Sequence, residues 1–216
     1  MGISELVSYL QSIPCSIRVV DGIRLIVKCD VDIDLSRFDL SNFREIRIVE
    51  SPLSNIDFLR GAHNLRILDI HSTCVRDISV IGYLKNIEYL DISLTLVEDI
   101  SALSKAENLR ELHLVGLNIR SVEPIRSLKK LRRLSLDFCY SVKDISPLAD
   151  LPELEYLSIA HTNVDNIDPL IENAKKYGKL RFVNVTDSLV GTESITELLR
   201  YGVHVEFRKE EFGPRL

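Results

Sequence analysis

The sequence predicts an α/β protein, a right-handed solenoid (a horseshoe) with a parallel concave sheet, short convex helices or turns, and a cap at each end. Two phrases predict this fold. A Leu-x-x-Leu-x-Leu phrase begins at residues 43, 65, 87, 109, 131, 154 and 180, and its first four spacings are 22 residues. A second phrase, Asp-Ile-Ser-Pro-Leu at residues 144–148, recurs in related forms between the copies of the first. A fixed period of this length indicates stacked supersecondary units.

Each repeat has the pattern of a half-buried strand followed by a turn. The fourth and sixth positions of the first phrase are apolar and alternate with mostly polar third, fifth and seventh positions, so one strand face is buried and the other is open. One repeat cannot bury its own apolar row, whereas seven stacked repeats form a continuous core over residues 43–191. Pro124, Pro147 and Pro169 favour the first turn of a short convex helix.

Residues 1–42 do not follow the repeat and are predicted to form an N-terminal cap. Apolar residues at helical spacing predict a first helix that Pro14 ends: Ile3, Leu6, Val7, Leu10 and Ile13. Two strands then flank Asp21-Gly22, a strong hairpin signal. A two-residue turn places Cys15 opposite Lys28, so a disulfide between Cys15 and Cys29 needs a bulge or a longer turn.

An acidic run follows the hairpin, where aspartates at positions 30, 32, 34 and 39 alternate with apolar residues. The run lacks the central glycine and the final glutamate of a calcium-binding loop. We therefore interpret it as a half-buried strand.

The last two units depart from the short convex turn. Residues 169–177 and 192–201 are long enough for helices that end at Gly178 and Gly202. Val203, Val205 and Phe207 then predict a final edge strand. Residues 192–216 are therefore predicted to form a C-terminal cap.

The repeats resemble the leucine-rich-repeat family over about two-thirds of the chain. The Asp-Ile-Ser-Pro-Leu phrase is similar to the 22-residue subclass found in internalins and in a regulatory subunit of protein phosphatase 1. The resemblance implies the horseshoe fold and a non-enzymatic role in binding a protein partner. One departure is that Ser51, Thr73, Thr95, Leu117, Cys139, Thr162 and Ser188 replace the asparagine that usually follows the strand. Hydroxyls satisfy backbone groups less completely, and Leu117 cannot do so.

Composition excludes several function classes. Acidic residues outnumber arginines on the predicted open strand face and the net charge is -5, so nucleic acid is not an expected partner. No apolar run approaches the roughly 18 residues of a membrane span, and no secretory signal begins the chain, so we expect a cytoplasmic location. We also expect a monomer. Abundant Ile, Val, Arg and Glu with a single Gln suggest a thermophilic source.

The four cysteines have no metal-ligand spacing, and Cys139 is expected to pack inward. We find no phosphate loop, nucleophile elbow or zinc motif, and therefore predict no enzyme, no cofactor and no metal.

Equivalent positions of neighbouring repeats should form rows across the concave face, because parallel strands lie about 4.8 Å apart. The fifth-position row begins with Arg47, Asp69, Asp91 and His113. Two carboxylates beside an imidazole could bind a divalent cation or share a proton. The alternative, which we favour, is that Arg66 and Arg110 balance these charges on a wet surface.

Aromatic residues on the open face point to protein binding, since rings among charges are typical of interface hot spots. Tyr89, Tyr156 and Phe182 occupy third positions, and Phe138 and His161 occupy eighth positions. The alternative for each ring is that it covers a neighbouring repeat. The predicted partner-binding residues are Arg47, Asp69, Tyr89, Asp91, His113, Arg133, Phe138, Tyr156, His161 and Phe182. Two other functions stay open, a regulatory subunit with a metal or small-ligand site at Asp69, Asp91 and His113, and a self-associating scaffold.

Overall fold

The computed structural model describes residues 2–208, and its strands form one sheet in chain order. The strands are β1 Cys15–Val20, β2 Arg24–Cys29, β3 Glu45–Val49, β4 Ile67–Asp69, β5 Tyr89–Asp91, β6 Glu111–His113, β7 Arg133–Ser135, β8 Tyr156–Ser158, β9 Phe182–Asn184 and β10 His204–Glu206. β1 pairs antiparallel with β2, and all later neighbours are parallel. The predicted solenoid is confirmed. The end of the predicted C-terminal cap, residues 209–216, lies outside the described residues.

One helix precedes β1, and the others lie in connections between strands. The α-helices are α1 Ile3–Gln11, α2 Asp168–Tyr177 and α3 Thr192–Arg200, and the 3₁₀ helices are Asp57–Gly61, Ser79–Tyr83, Ser101–Lys105, Glu123–Ser127 and Ser146–Asp150. Pro124, Pro147 and Pro169 each lie in a first turn, as predicted. α2 ends at Gly178 (φ 62°), and Gly202 (φ 75°) follows α3, which confirms both helix ends. No helix of the described chain is both long and apolar enough to cross a bilayer.

The first residue of the second phrase accepts a backbone hydrogen bond at the start of each convex turn. Asp77 Oδ1 accepts a hydrogen bond from the Ser79 amide, and Asp144 Oδ1 accepts one from the Ser146 amide. These bonds lower the pKa of both aspartates, since they stabilise the charged carboxylate. Asn55, Asp99, Ser121 and Asn166 cap the equivalent turns of the other units.

The fourth and sixth positions of the first phrase form the core between the sheet and the convex side. Leu68, Leu90 and Leu112 are completely buried, and Leu134 is only 3% exposed. Burying each such side chain stabilises the fold by about 1.5–3 kcal/mol relative to leaving it in water. The apolar fourth and sixth positions of successive repeats therefore form the rows of side chains that make up the core.

The hairpin predicted around Asp21-Gly22 is confirmed, but its predicted register is wrong. Cys15 pairs with Cys29 and not with Lys28. The two cysteines lie 4.3 Å apart at Cα and form a disulfide bond. Disulfides persist in oxidising compartments and, inside cells, chiefly in proteins of hyperthermophiles. The cytoplasmic location stays a prediction.

Ile23 causes the register difference, because it adds a third residue to the hairpin loop. Val20 pairs with Arg24, so residues 21–23 lie between the paired positions. The Ile23 amide donates to the Val20 carbonyl at 3.2 Å. Its carbonyl accepts hydrogen bonds from the Arg44 and Glu45 amides of the first repeat, at 2.8 and 3.2 Å. The backbone of Ile23 thus joins the N-terminal cap to the first repeat.

The acidic run does not form the predicted strand. Residues 30–42 have no strand assignment, although Ile33, Leu35 and Leu40 are buried as the alternation indicated. The aspartates interrupt strand pairing, because their carboxylates accept hydrogen bonds from backbone amides two residues later. Asp34 accepts from Ser36 at 2.8 Å and Asp39 accepts from Ser41 at 2.9 Å.

Hydroxyls replace the missing asparagines at the end of the strands. Thr73, Thr95, Thr162 and Ser188 donate to the carbonyl three residues earlier, at 2.8, 2.7, 2.7 and 2.7 Å. Leu117 has no such donor, and the Cys139 thiol of the next repeat reaches the same carbonyl, Leu114 O, at 3.0 Å. Cys139 is completely buried, as predicted, and burial raises the pKa of its thiol to about 11.

Candidate functional site

The strand register forms the predicted rows. Arg47, Asp69, Asp91 and His113 are consecutive neighbours in the fifth-position row, which continues through Ser135, Ser158 and Asn184. The third-position row runs from Glu45 through Ile67, Tyr89, Glu111, Arg133, Tyr156 and Phe182 to His204. The predicted site residues divide into two groups on the concave face and a pair at its rim.

The first group is an acidic network at β3–β5, formed by Glu45, Arg47, Asp69, His71 and Asp91. Arg47 Nη1 lies 2.8 Å from Asp69 Oδ2, and Arg47 Nε lies 2.6 Å from Glu45 Oε1. His71 Nδ1 lies 2.7 Å from Asp69 Oδ1. Asp69 is 5% exposed, so its charge is buried and paired.

The predicted balance of these charges needs a correction. Arg66 and Arg110 do not pair with the row-five carboxylates; they lie 2.9 and 3.7 Å from Glu88. Arg47 balances Asp69 instead, because it occupies the adjacent position of the same row.

Tyr89 and His113 border the acidic network. Their rings lie 5.5 Å apart, and the Arg47 guanidinium lies 5.5 Å from the Tyr89 ring. Burial, together with the charges of Asp91 and Asp69, raises the pKa of the Tyr89 phenol to about 12. His113 Nε2 lies 2.9 Å from Glu111 Oε1.

The residues that could share one cation differ from the predicted set. Among the described residues, Asp69, His71 and Asp91 have ligand atoms within 4.8 Å of one another, and His113 is not part of this group. Both oxygens of Asp69 already have partners, Arg47 and His71. A divalent ion there would also lie near the Arg47 guanidinium, which repels it. The geometry is that of an ion-pair network.

The second group is an aromatic row at β7–β10, formed by Arg133, Tyr156, Phe182 and His204. The Arg133 guanidinium lies 4.1 Å from the centre of the Tyr156 ring. Tyr156 and Phe182 lie 6.4 Å apart, and Phe182 stacks on His204 at 5.6 Å. The rings of Tyr156, Phe182 and His204 therefore form a continuous surface. The Arg133 guanidinium extends it at one end by stacking on Tyr156.

A shallow depression of about 210 Å³ lies in this part of the concave face. Leu134 and Leu157, both buried, line it together with Tyr156 and Phe182. Glu111, His113, Arg133, Ser135 and Ser158 complete its lining. Its volume is below the 300–1,000 Å³ that is typical of small-molecule pockets.

Phe138 and His161 lie at the rim of the sheet, immediately beyond the strands. Their rings stack at 4.3 Å with an interplanar angle of 9°. Both residues have positive φ (60° and 54°), which the turn after each strand imposes at the eighth position. Phe138 is 41% exposed and contacts Tyr140 at 6.3 Å. The rim pair is thus distinct from the aromatic row.

Sequence reasoning missed His71 and His204. His71 follows Asp69 by two residues and so lies on the same strand face. His204 pairs in register with Phe182, because β10 continues the third-position row. Both could have been found by extending the rows to the seventh position and to the final strand.

Comparison with known proteins identifies the repeat and the fold. The family described as Leucine Rich repeats (2 copies) matches residues 107–150. The fold is similar to internalin inlF of Listeria monocytogenes (TM-score 0.72, 18% identity, 94% of this chain and 58% of that one). It is also similar to internalin C2 of the same species (TM-score 0.77, 21% identity, 87% and 82%).

A third similar structure is a leucine-rich-repeat protein of Leptospira interrogans (TM-score 0.68, 20% identity, 78% of this chain and 44% of that one). The chain therefore spans little more than half of the inlF structure and less than half of the Leptospira one. No curated protein matches the sequence. At these identities the likeness concerns the fold alone.

Proposed function

We propose, from the premise that this chain is a leucine-rich-repeat protein with an internalin-like fold, that it is a non-enzymatic module holding a protein partner on its concave face. Leucine-rich-repeat proteins are typically protein-interaction modules. The partner surface of this chain is centred on the aromatic row. We further propose that the chain acts as a monomer, without nucleic acid or membrane as a partner.

The observation that carries this proposal is the aromatic row itself. Three rings and a guanidinium lie side by side over four neighbouring strands, on the open face of the sheet. Tyr156 and Phe182 are half-buried, while Arg133 and His204 are exposed. Large, rigid side chains of this type supply most of the binding energy at protein interfaces, and arginine and tyrosine are enriched there.

The depression does not favour catalysis. Ser135 Oγ and Ser158 Oγ both bond to the Asp137 carboxylate, so neither hydroxyl pairs with His113. His113 instead pairs with Glu111. A nucleophile and its base must be within hydrogen-bond reach of each other, and that pairing is missing among the described residues of the depression.

The two other candidate functions have less support. The acidic network already pairs its charges through Arg47, which disfavours a cation. Self-association would use the outer edge of β10, but that strand has only three residues, His204–Glu206, and a short edge is a weak template for pairing.

Replacing Tyr89, Tyr156 and Phe182 together by alanine is expected to abolish capture of the partner. Anchor residues of an interface contribute about 2 kcal/mol or more each to binding. The measurement is affinity capture from an extract of the source organism, with mass spectrometry of the bound proteins. Circular dichroism of the variant should match that of the wild type.

The matched control is Tyr83→Ala. Tyr83 is 52% exposed, lies on the 3₁₀ helix Ser79–Tyr83 and stacks with Arg60 at 4.5 Å, so it tests a convex ring that is more exposed than the three concave ones. Capture by this variant should be unchanged. Intact capture by the concave triple variant would refute the concave-face proposal.

A further inference from the structure

The structure assigns a specific recognition chemistry to the aromatic row: a partner segment in which an Asp or Glu carboxylate pairs with Arg133 and an adjacent bulky apolar side chain fills the depression. This inference rests on the proposed function and adds the kind of segment that the surface selects. It depends on a difference between Arg133 and four other arginines of the concave side, Arg47, Arg66, Arg110 and Arg132.

These four arginines are already paired with carboxylates. Arg47 pairs with Glu45 and Asp69. Arg66 and Arg110 share Glu88 at 2.9 and 3.7 Å, and Arg132 lies 3.9 and 3.8 Å from Glu153 and Glu155. A carboxylate from a partner would have to displace these internal acids.

Arg133 has no carboxylate within ion-pair distance among the described residues. Glu111 is its in-register neighbour, but the Glu111 carboxylate bonds to His113 at 2.9 Å. The contact of Arg133 is the face of the Tyr156 ring, at 4.1 Å. Stacking holds the planar guanidinium while its N–H groups stay available at the edge, which suits a bidentate carboxylate.

The apolar part of the ligand follows from the depression beside Arg133. The rings of Tyr156 and Phe182 line it, together with the buried residues Leu134 and Leu157 of β7 and β8. A volume of about 210 Å³ fits one large side chain better than a drug-sized molecule. A Phe, Tyr or Leu next to the acidic residue would bury its side chain against the Tyr156 and Phe182 rings.

The surrounding charges fix the register of such a segment. The chain has a net charge of -5, and Asp69 and Asp91 lie in the N-terminal half of the same face. An acidic side chain is repelled there and attracted at Arg133. Complementary and repulsive contacts on one surface give specificity to a binding mode.

The test is an NMR titration of the isotope-labelled chain with two synthetic peptides, acetyl-Gly-Gly-Glu-Phe-Gly-Gly-amide and the same peptide with Gln in place of Glu. We expect the Glu peptide to bind about tenfold more tightly, since a hydrogen bond to a charged group contributes about 1.5 kcal/mol or more. Its shift changes should be centred on Tyr156, Phe182 and His204. Arg133→Gln should make the two affinities equal.

The matched control is Arg132→Gln, which removes a neighbouring arginine that already has internal partners. It should leave the tenfold preference intact. Equal binding of both peptides by the wild type, binding of neither, or shift changes centred on the acidic network would each overturn the inference.

These outcomes separate the inference from the proposed function. If capture of the protein partner is lost in the concave triple variant but is unaffected by Arg133→Gln, the concave module stands and the carboxylate recognition is wrong. If the triple variant captures the partner normally, the proposed function is wrong, and the inference that rests on it is wrong as well.

Discussion

Replacing Asn173 by aspartate is expected to lower the free energy of unfolding by about 3 kcal/mol or more at neutral pH. Asn173 is completely buried in α2, and its Nδ2 donates to the carbonyls of Leu148 and Leu151 at 3.0 and 2.8 Å. A carboxylate would place negative charge against these oxygens. Each buried polar group left without its partner costs about 1–3 kcal/mol.

The pH dependence of the Asn173→Asp variant gives a second readout. Burial without a cation favours the neutral acid, so the pKa of the new carboxyl should rise above its unfolded value of about 3.9. The part of the penalty that comes from ionisation is then absent below that value and grows as the pH rises, while the loss of one of the two donated hydrogen bonds remains at every pH. Urea unfolding followed by circular dichroism measures this loss of stability.

The control is Asn163→Asp, at an exposed asparagine that also donates to a carbonyl, Tyr140 O at 2.7 Å. We expect this variant to lower the free energy of unfolding by less than about 1 kcal/mol. Equal effects at both sites would contradict this account.

Removing the Cys15–Cys29 disulfide should destabilise the chain by about 3 kcal/mol, the value expected for a closed loop of about 15 residues. The bond ties β1, the edge strand of the sheet, to β2. We therefore expect the double Cys→Ser variant to lose the hairpin first, because a solenoid can unfold from its end. Denaturant unfolding with hydrogen exchange measures both effects.

Two controls accompany this prediction. Cys74→Ser alters an exposed free cysteine and should change stability by less than about 0.5 kcal/mol. The denatured, unreduced protein should react as two free thiols, Cys74 and Cys139, among the described residues. Four reactive thiols before reduction would show that the bond is missing.

The repeat made most of the fold predictable, because it specifies period, strand face and convex turn together. The seven predicted strands, the Asp21-Gly22 hairpin and the helix ends near Gly178 and Gly202 all follow from local signals. Local signals failed at the junctions. Ile23 changes the hairpin register because its carbonyl bonds to the first repeat, and this contact is not encoded in the hairpin sequence.

The candidate site was less predictable, because it depends on side-chain partners. The rows were read correctly, yet the histidine that pairs with Asp69 is His71, two residues past the end of β4, and not His113 on β6. A second regularity was overlooked entirely. Asn64, Asn86 and Asn108 recur every 22 residues and donate to the carbonyls 23 residues earlier, Ser41 O, His63 O and Lys85 O, all at 2.8 Å. Asn173 was missed as a polar residue on the buried face of a helix.

Site-specific photo-crosslinking tests the central proposal, partner binding on the concave aromatic row, most directly. Benzoylphenylalanine would replace His204, an exposed member of that row beside Phe182, or Ser104, an exposed residue of the convex 3₁₀ helix Ser101–Lys105. The account predicts an adduct with the captured partner from position 204 and none from position 104. An adduct from position 104 alone would contradict it.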